Sequence, residues 1–182
     1  MAISNNDHDK FDQLLEAARD LLAQERDSAD ALEANDLANE ALALVPDSCA
    51  AWILKCQALS SLSDDTSALA CIEMATRQEP KSAEANYWRG AVLCDLKRYD
   101  DALTSIDIAF RNIGSDDFWL LEDLYFEKAM TLHALGRSDD AVATYETGLQ
   151  RCPNSGLLSS GLAPLRHAKS KAKLVLVRGG IG

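Results

Sequence analysis

The sequence predicts an all-α fold, a solenoid of antiparallel helix pairs, and three observations carry that expectation. Apolar residues recur at three- to four-residue spacing along most of the chain, the period of one helix face. An alanine returns at Ala34, Ala68 and Ala102, 34 residues apart, and again at Ala141. Each is followed at fixed distances by Ala38, Ile72, Ile106 and Tyr145, then by Ala41, Ala75, Ala109 and Gly148. Only four of the 182 residues are proline and nine glycine, too few to break so many helices. A self-similar unit of this length cannot bury its apolar face alone, so it stacks on copies of itself.

The elements follow in order. Residues 1–8 read as a polar arm. An amphipathic helix is expected from Asp9 to Gln24, with Phe11, Leu14, Leu15, Ala18, Leu21 and Leu22 as its stripe, and Ser28 caps a second helix from Ala29 to Leu44. This first pair, residues 9–46, is the least regular. Read without a gap, Leu22 takes the small-residue position. With extra loop residues allowed, Leu14, Ala18 and Leu21 fall in phase, and that registration is preferred. The second pair, 49–80, turns at Ser63-Asp64-Asp65. The third, 83–114, carries Trp88, Val92, Leu93 and Leu96 on one helix and Leu103, Ile106, Ala109 and Phe110 on the other, with a turn at Lys97-Arg98.

The fourth pair, 117–153, arrives late: Ala102 to Ala141 is 39 residues. The extra residues lie in 117–121 and are expected to lengthen a first helix running from Asp117 to Ala134. Phe118, Trp119, Leu120 and Leu121 there form a dense apolar cluster, read either as packing against the third pair or as an exposed interface patch. After Pro153, Asn154 or Ser155 caps a basic helix over 156–173 that covers the last repeat, as a solenoid end requires. Gly161 and Pro164 interrupt it, so its regular part is expected from Ala163. Residues 174–182 are compatible with a disordered tail or with an element added to a partner.

Small residues at Cys56, Gly90 and Ala129 let each first helix approach its partner, and Ala68, Ala102 and Ala141 do the same from the other side. Prolines at 46, 80 and 153 stop second helices because they lack the N–H of the helical ladder. First helices read Trp52-x2-Lys55-Cys56-x2-Leu59, Asn86-x2-Arg89-Gly90-x2-Leu93 and Tyr125-x2-Lys128-Ala129-x2-Leu132. With the alanine series and the prolines, this resembles the tetratricopeptide repeat over roughly residues 10–155. Lys55, Arg89 and Lys128 stand where the repeat pattern has leucine. They are read as structural, their stems packed and their heads in water.

Charge and chemistry narrow the function. Net charge is −11, with all 29 acidic residues at or before Glu146 and six of the 18 Lys and Arg from Arg151 onward. An acidic body argues against nucleic acid as partner, and the basic tail suits the acidic body or a second copy. No apolar run is long enough to span a bilayer and no signal segment is evident, so a cytoplasmic location without membrane insertion is expected. Cys49, Cys56, Cys71, Cys94 and Cys152 show no C-x-x-C pair and are expected to be reduced core thiols. His8, His133 and His167 lie far apart, so no metal or cofactor is expected. Phosphate loops, nucleophile elbows and metalloprotease motifs are absent, and the paired aspartates fall at helix starts where the dipole favours them. A non-enzymatic protein is expected.

The resemblance implies a right-handed superhelix whose first helices line a concave peptide groove. Its groove positions correspond to Ile53, Gln57 and Ser60 in the second pair and Glu84, Tyr87, Ala91, Cys94 and Asp95 in the third. In the fourth they are Asp123, Phe126, Met130 and His133. The basic clamp by which some members grip chaperone tails is missing, since its positions hold Ala50, Leu54, Gln57, Glu84 and Trp88. The implied ligand is a peptide or helix with apolar anchors, neutral or basic. Two alternatives stay open: a repeat chaperone like those of type III secretion, often dimeric, and a scaffold assembling itself through tail-to-groove contacts.

Overall fold

The helix starts are set by short polar side chains. Ser48, Asp64 and Ser82 each accept the backbone N–H three residues on, from Ala51 at 3.1 Å, Ser67 at 3.2 Å and Ala85 at 3.1 Å. Each satisfies a donor that a helix start leaves open. In a computed structural model, which describes residues 5–24, 28–115 and 118–179, these caps open α3 (Cys49–Ser61), α4 (Asp65–Gln78) and α5 (Ala83–Asp95). Before them lie α1 (Asn5–Ala23) and α2 (Ser28–Leu44), and after them α6 (Tyr99–Asn112). These six helices form a first unit, Met1–Asn112. A second, Ile113–Gly182, holds a 3-10 turn at Phe118–Leu120, then α7 (Leu121–Ala134), α8 (Ser138–Arg151) and α9 (Gly156–Gly179). Among the described residues there is no strand.

One turn design closes three of the helix pairs. Ser63 (φ 59°), Lys97 (φ 60°) and Gly136 (φ 76°) all take the left-handed conformation. The N–H of the next residue reaches back five residues: Asp64 to Leu59 O at 2.9 Å, Arg98 to Leu93 O at 2.8 Å, Arg137 to Leu132 O at 2.9 Å. This is the Schellman closure, which satisfies carbonyls left open at a helix end.

The core of the first unit is built from alanine as much as from large residues. Ala18, Ala34, Ala38, Ala41, Ala51 and Ala58 are wholly buried, with Leu14, Leu15 and Leu54 between them. A second cluster joins Cys49, Ile53 and Cys56 of α3 to Ala68, Cys71, Ile72 and Ala75 of α4 and to Ala85 and Val92 of α5. Gly90 shows why small residues recur: a methyl group there would stand 2.7 Å from Ile106 Cγ1. In the second unit Tyr145 of α8 is wholly buried, with Leu124 and Ala129 of α7 and Leu158 of α9 also closed to solvent. Ala18, Cys56, Gly90 and Ala129 are all buried, so the small-residue position of every first helix meets its partner.

Four expectations are corrected. Residues 5–8 belong to α1 rather than to an arm. As the terminal helix α1 has no preceding neighbour to fix its start, and Asp7 in its first turn suits the dipole. The inserted residues do not lengthen the fourth first helix: α7 has 14 residues against 13 in α3 and α5, and the insertion makes a separate 3-10 turn. The interruption in α9 does not occur, because Pro164 lies inside a continuous helix. The carbonyl that it cannot bond belongs to Ser160, an exposed residue whose backbone water can serve. The tail assigned to 174–182 is helical as far as Gly179, and 180–182 lie outside the described residues.

Candidate protein-binding surfaces

Each unit presents the face of its first helices, and the side chains expected to bind divide between the two. In the first unit α3 lies beside both α1 and α5. Gln57 and Ser60 of α3 and Glu84, Tyr87, Ala91 and Cys94 of α5 are half-buried, and Asp95 is exposed. The Tyr87 ring meets that of Trp88 edge-on, centroids 5.2 Å apart. Ile53 does not belong with them. It is 3% exposed, inside the cluster shared with α4 and α5, because a helix in mid-stack is covered on two sides.

The basic residues of the first helices have structural partners. Arg89 donates to Ser105 Oγ at 2.7 Å, tying α5 to α6, and Lys55 Nζ lies 5.5 Å from the centroid of the Trp52 ring. Sequence reasoning missed a second tie at the same period. Trp52 Nε1 donates to Pro46 O at 2.9 Å and Asn86 Nδ2 to Pro80 O at 3.1 Å. A donor six residues after each loop proline is the signal that would have shown it.

The second unit gathers its candidates around a cleft of about 360 Å³ between α7 and α9. Phe126, Met130 and His133 come from α7, Leu157, Ser160, Gly161, Pro164 and Leu165 from α9, and Tyr145 of α8 forms the base. The Phe126 and Tyr145 rings meet edge-on at 6.1 Å. Met130 is 46% exposed, and His133 Nδ1 lies 3.1 Å from Ser138 Oγ. The sequence indicated the α7 side of this cleft but not the α9 side, where Gly161 and Pro164 looked like helix breakers. Of the apolar run at 118–121, Leu120 and Leu121 are buried at 0% and 3%, so they are core rather than an interface. Trp119 stands 59% exposed, and the side chain of Phe118 lies outside the described residues.

Electrostatics give these faces a sign. The Asp95 carboxyl is raised above the usual carboxylate range by burial and then by Asp65. That of Asp123, half-buried on α7, is raised by burial and then by Glu122. Glu122 itself accepts Ser155 Oγ at 2.8 Å. A carboxylate so placed gains from an incoming cation. The thiols are no nucleophiles at neutral pH: burial pushes Cys49 up to about 11 and Cys56 up to about 12, and raises Cys71. Among the described residues no group of His, Cys, Asp and Glu could hold a metal ion, and no helix is long and apolar enough to cross a membrane.

No protein-family model matches the sequence, and no curated protein matches it by sequence. Solved structures do. A thermophilic tetratricopeptide-repeat protein of Thermus thermophilus superposes with a TM-score of 0.72 at 21% identity, over 84% of this chain and 79% of that one. PilF of Pseudomonas aeruginosa gives 0.78 at 15% identity, over 92% and 72%. An O-GlcNAc transferase of Thermobaculum terrenum gives 0.69 at 21% identity over 81% of this chain, which spans only 27% of the enzyme. The fold is that of a tetratricopeptide-repeat solenoid.

Proposed function

We propose that this tetratricopeptide-repeat fold serves as a non-catalytic protein-interaction module. Its first-helix faces take a peptide or amphipathic helix with apolar anchors, neutral or basic in charge. The observation that carries the reading is on α7, where half-buried Phe126 and exposed Met130 stand within two turns of Asp123, whose carboxyl is held partly out of water. Tyr87 and Asp95 repeat the combination on α5. Aromatic and methionine side chains adapt to apolar anchors. A partly dry carboxylate recovers its lost hydration beside a lysine or arginine.

Fluorescence polarisation with two labelled amphipathic peptides of equal length tests this, one alternating leucine with lysine and one leucine with glutamate. The lysine peptide should bind at least ~10-fold tighter, a modest return for complementary charge. Tyr87→Ala or Met130→Glu should weaken it. Equal affinity for both peptides, or variants without effect, would overturn the reading.

Self-assembly through the basic tail is the second reading. Arg166, on that tail, pairs with Glu146 of its own unit at 2.8 Å, so part of the tail's charge is already engaged within the chain.

A further inference from the structure

The Tyr145 hydroxyl is a buried donor with no hydrogen-bond partner. Its residue is 0% exposed, and burial, with Glu127 nearby, pushes the phenol up to about 12, so at neutral pH it carries its proton. Leaving such a group unpaired costs stability, and natural folds rarely tolerate it without a reason. Its surroundings offer one. The hydroxyl reaches the underside of Gly161, where a methyl group would come within 2.5 Å of it. Only a backbone without a side chain separates it from the cleft that Gly161 and Tyr145 both line. In that same turn Pro164 supplies no N–H to the Ser160 carbonyl, so the roof is held by one ladder bond fewer.

The cleft itself has the character of a small-molecule site. Its volume of about 360 Å³ lies in the range of such pockets, which are mostly apolar with a few polar groups that fix orientation. Phe126, Met130, Leu157, Pro164 and Leu165 supply the apolar walls. No carboxylate, lysine or arginine lines it, so a charged ligand would lose hydration without a counter-ion.

We propose that the α7–α9 cleft is a binding site for a compact, neutral, largely apolar molecule bearing one hydrogen-bond acceptor, which takes the Tyr145 hydroxyl as donor. The site goes beyond peptide recognition and stands or falls independently of it.

The test uses the full chain and two probes, acetanilide, which carries a carbonyl acceptor, and ethylbenzene, which does not. Methyl NMR should show saturable shifts at Met130, Leu157 and Leu165 with acetanilide. Tyr145→Phe should weaken acetanilide about five- to tenfold, the worth of one hydrogen bond, and leave ethylbenzene within about twofold, since no acceptor is lost. The variant should be at least as stable as the parent, because it removes an unpaired hydroxyl. Absence of saturable shifts with acetanilide, or unchanged acetanilide affinity in Tyr145→Phe, overturns the proposal. A variant that unfolds or is clearly destabilised does so too, because the hydroxyl would then have a partner in the free protein.

Discussion

Lys97 holds a left-handed backbone conformation that glycine holds at the matching turn of the second unit, at Gly136. For a side chain with a β-carbon that conformation costs about 1 kcal/mol. Lys97 is exposed and its side chain is not needed for the turn, whose bonds are made by backbone atoms. Lys97→Gly is therefore expected to stabilise the protein by about 0.5–1 kcal/mol, read as a higher midpoint in urea. Asp123 poses the opposite case, a charge held where it is disfavoured. Its folded carboxyl is raised, so the folded state binds the proton more tightly than the unfolded chain. The group's contribution is most favourable below the unfolded carboxylate pKa and is lost as pH rises through the folded one. Asp123→Asn should leave stability unchanged or slightly higher at pH 7, by less than about 1 kcal/mol, and flatten the stability profile from about pH 4 upward. A clear loss of stability at pH 7 would mean that Asp123 has a cationic partner in the free protein.

At the scale of the elements, the repeat was legible because close packing leaves a compositional trace. Gly90 is small because Ile106 occupies the space its side chain would need, and that contact recurs with the period of the stack. Gly90→Ala sets two effects against each other. A helix interior gains about 1 kcal/mol from alanine over glycine, while a 2.7 Å approach to Ile106 forces a shift that costs about 1–3 kcal/mol. A net loss of about 1 kcal/mol, seen in the urea midpoint, is expected; a gain would mean that α5 and α6 separate without penalty. What was not legible follows from the same physics. Helix length at the insertion is set by the neighbours that a helix packs against, not by the apolar run Phe118–Leu121, so the run became a turn. The binding position of Ile53 was inferred from its place in the repeat, but α3 has neighbours on both sides and an apolar side chain there is simply covered. Gly161 and Pro164 looked like helix breakers because the ring of Tyr145, which needs the space over Gly161, is 16 residues away in sequence.

At the scale of the whole molecule, the uneven charge decides which partners can approach. A chain of net charge −11 with its basic residues concentrated near one end can recognise a basic ligand or another copy of itself, and the two differ in their dependence on salt. Contacts between the tail of one chain and the acidic surface of another are exposed ion pairs, screened within about 8 Å at physiological ionic strength and individually weak. Arg166 is already engaged with Glu146 in its own chain, which removes a charge from any such contact. An interaction module with open faces is therefore expected to be monomeric by light scattering at micromolar concentration, in low and high salt alike. A larger species that dissolves in salt would transfer the binding role to the tail. A dimer that persists in high salt would require apolar burial between copies, and Trp119 and Leu32, exposed at 59% and 55%, are the side chains to replace with serine. Loss of that dimer on Trp119→Ser would place the interface in the second unit and strengthen the chaperone-like alternative, in which a folded dimer and not a single chain receives the ligand.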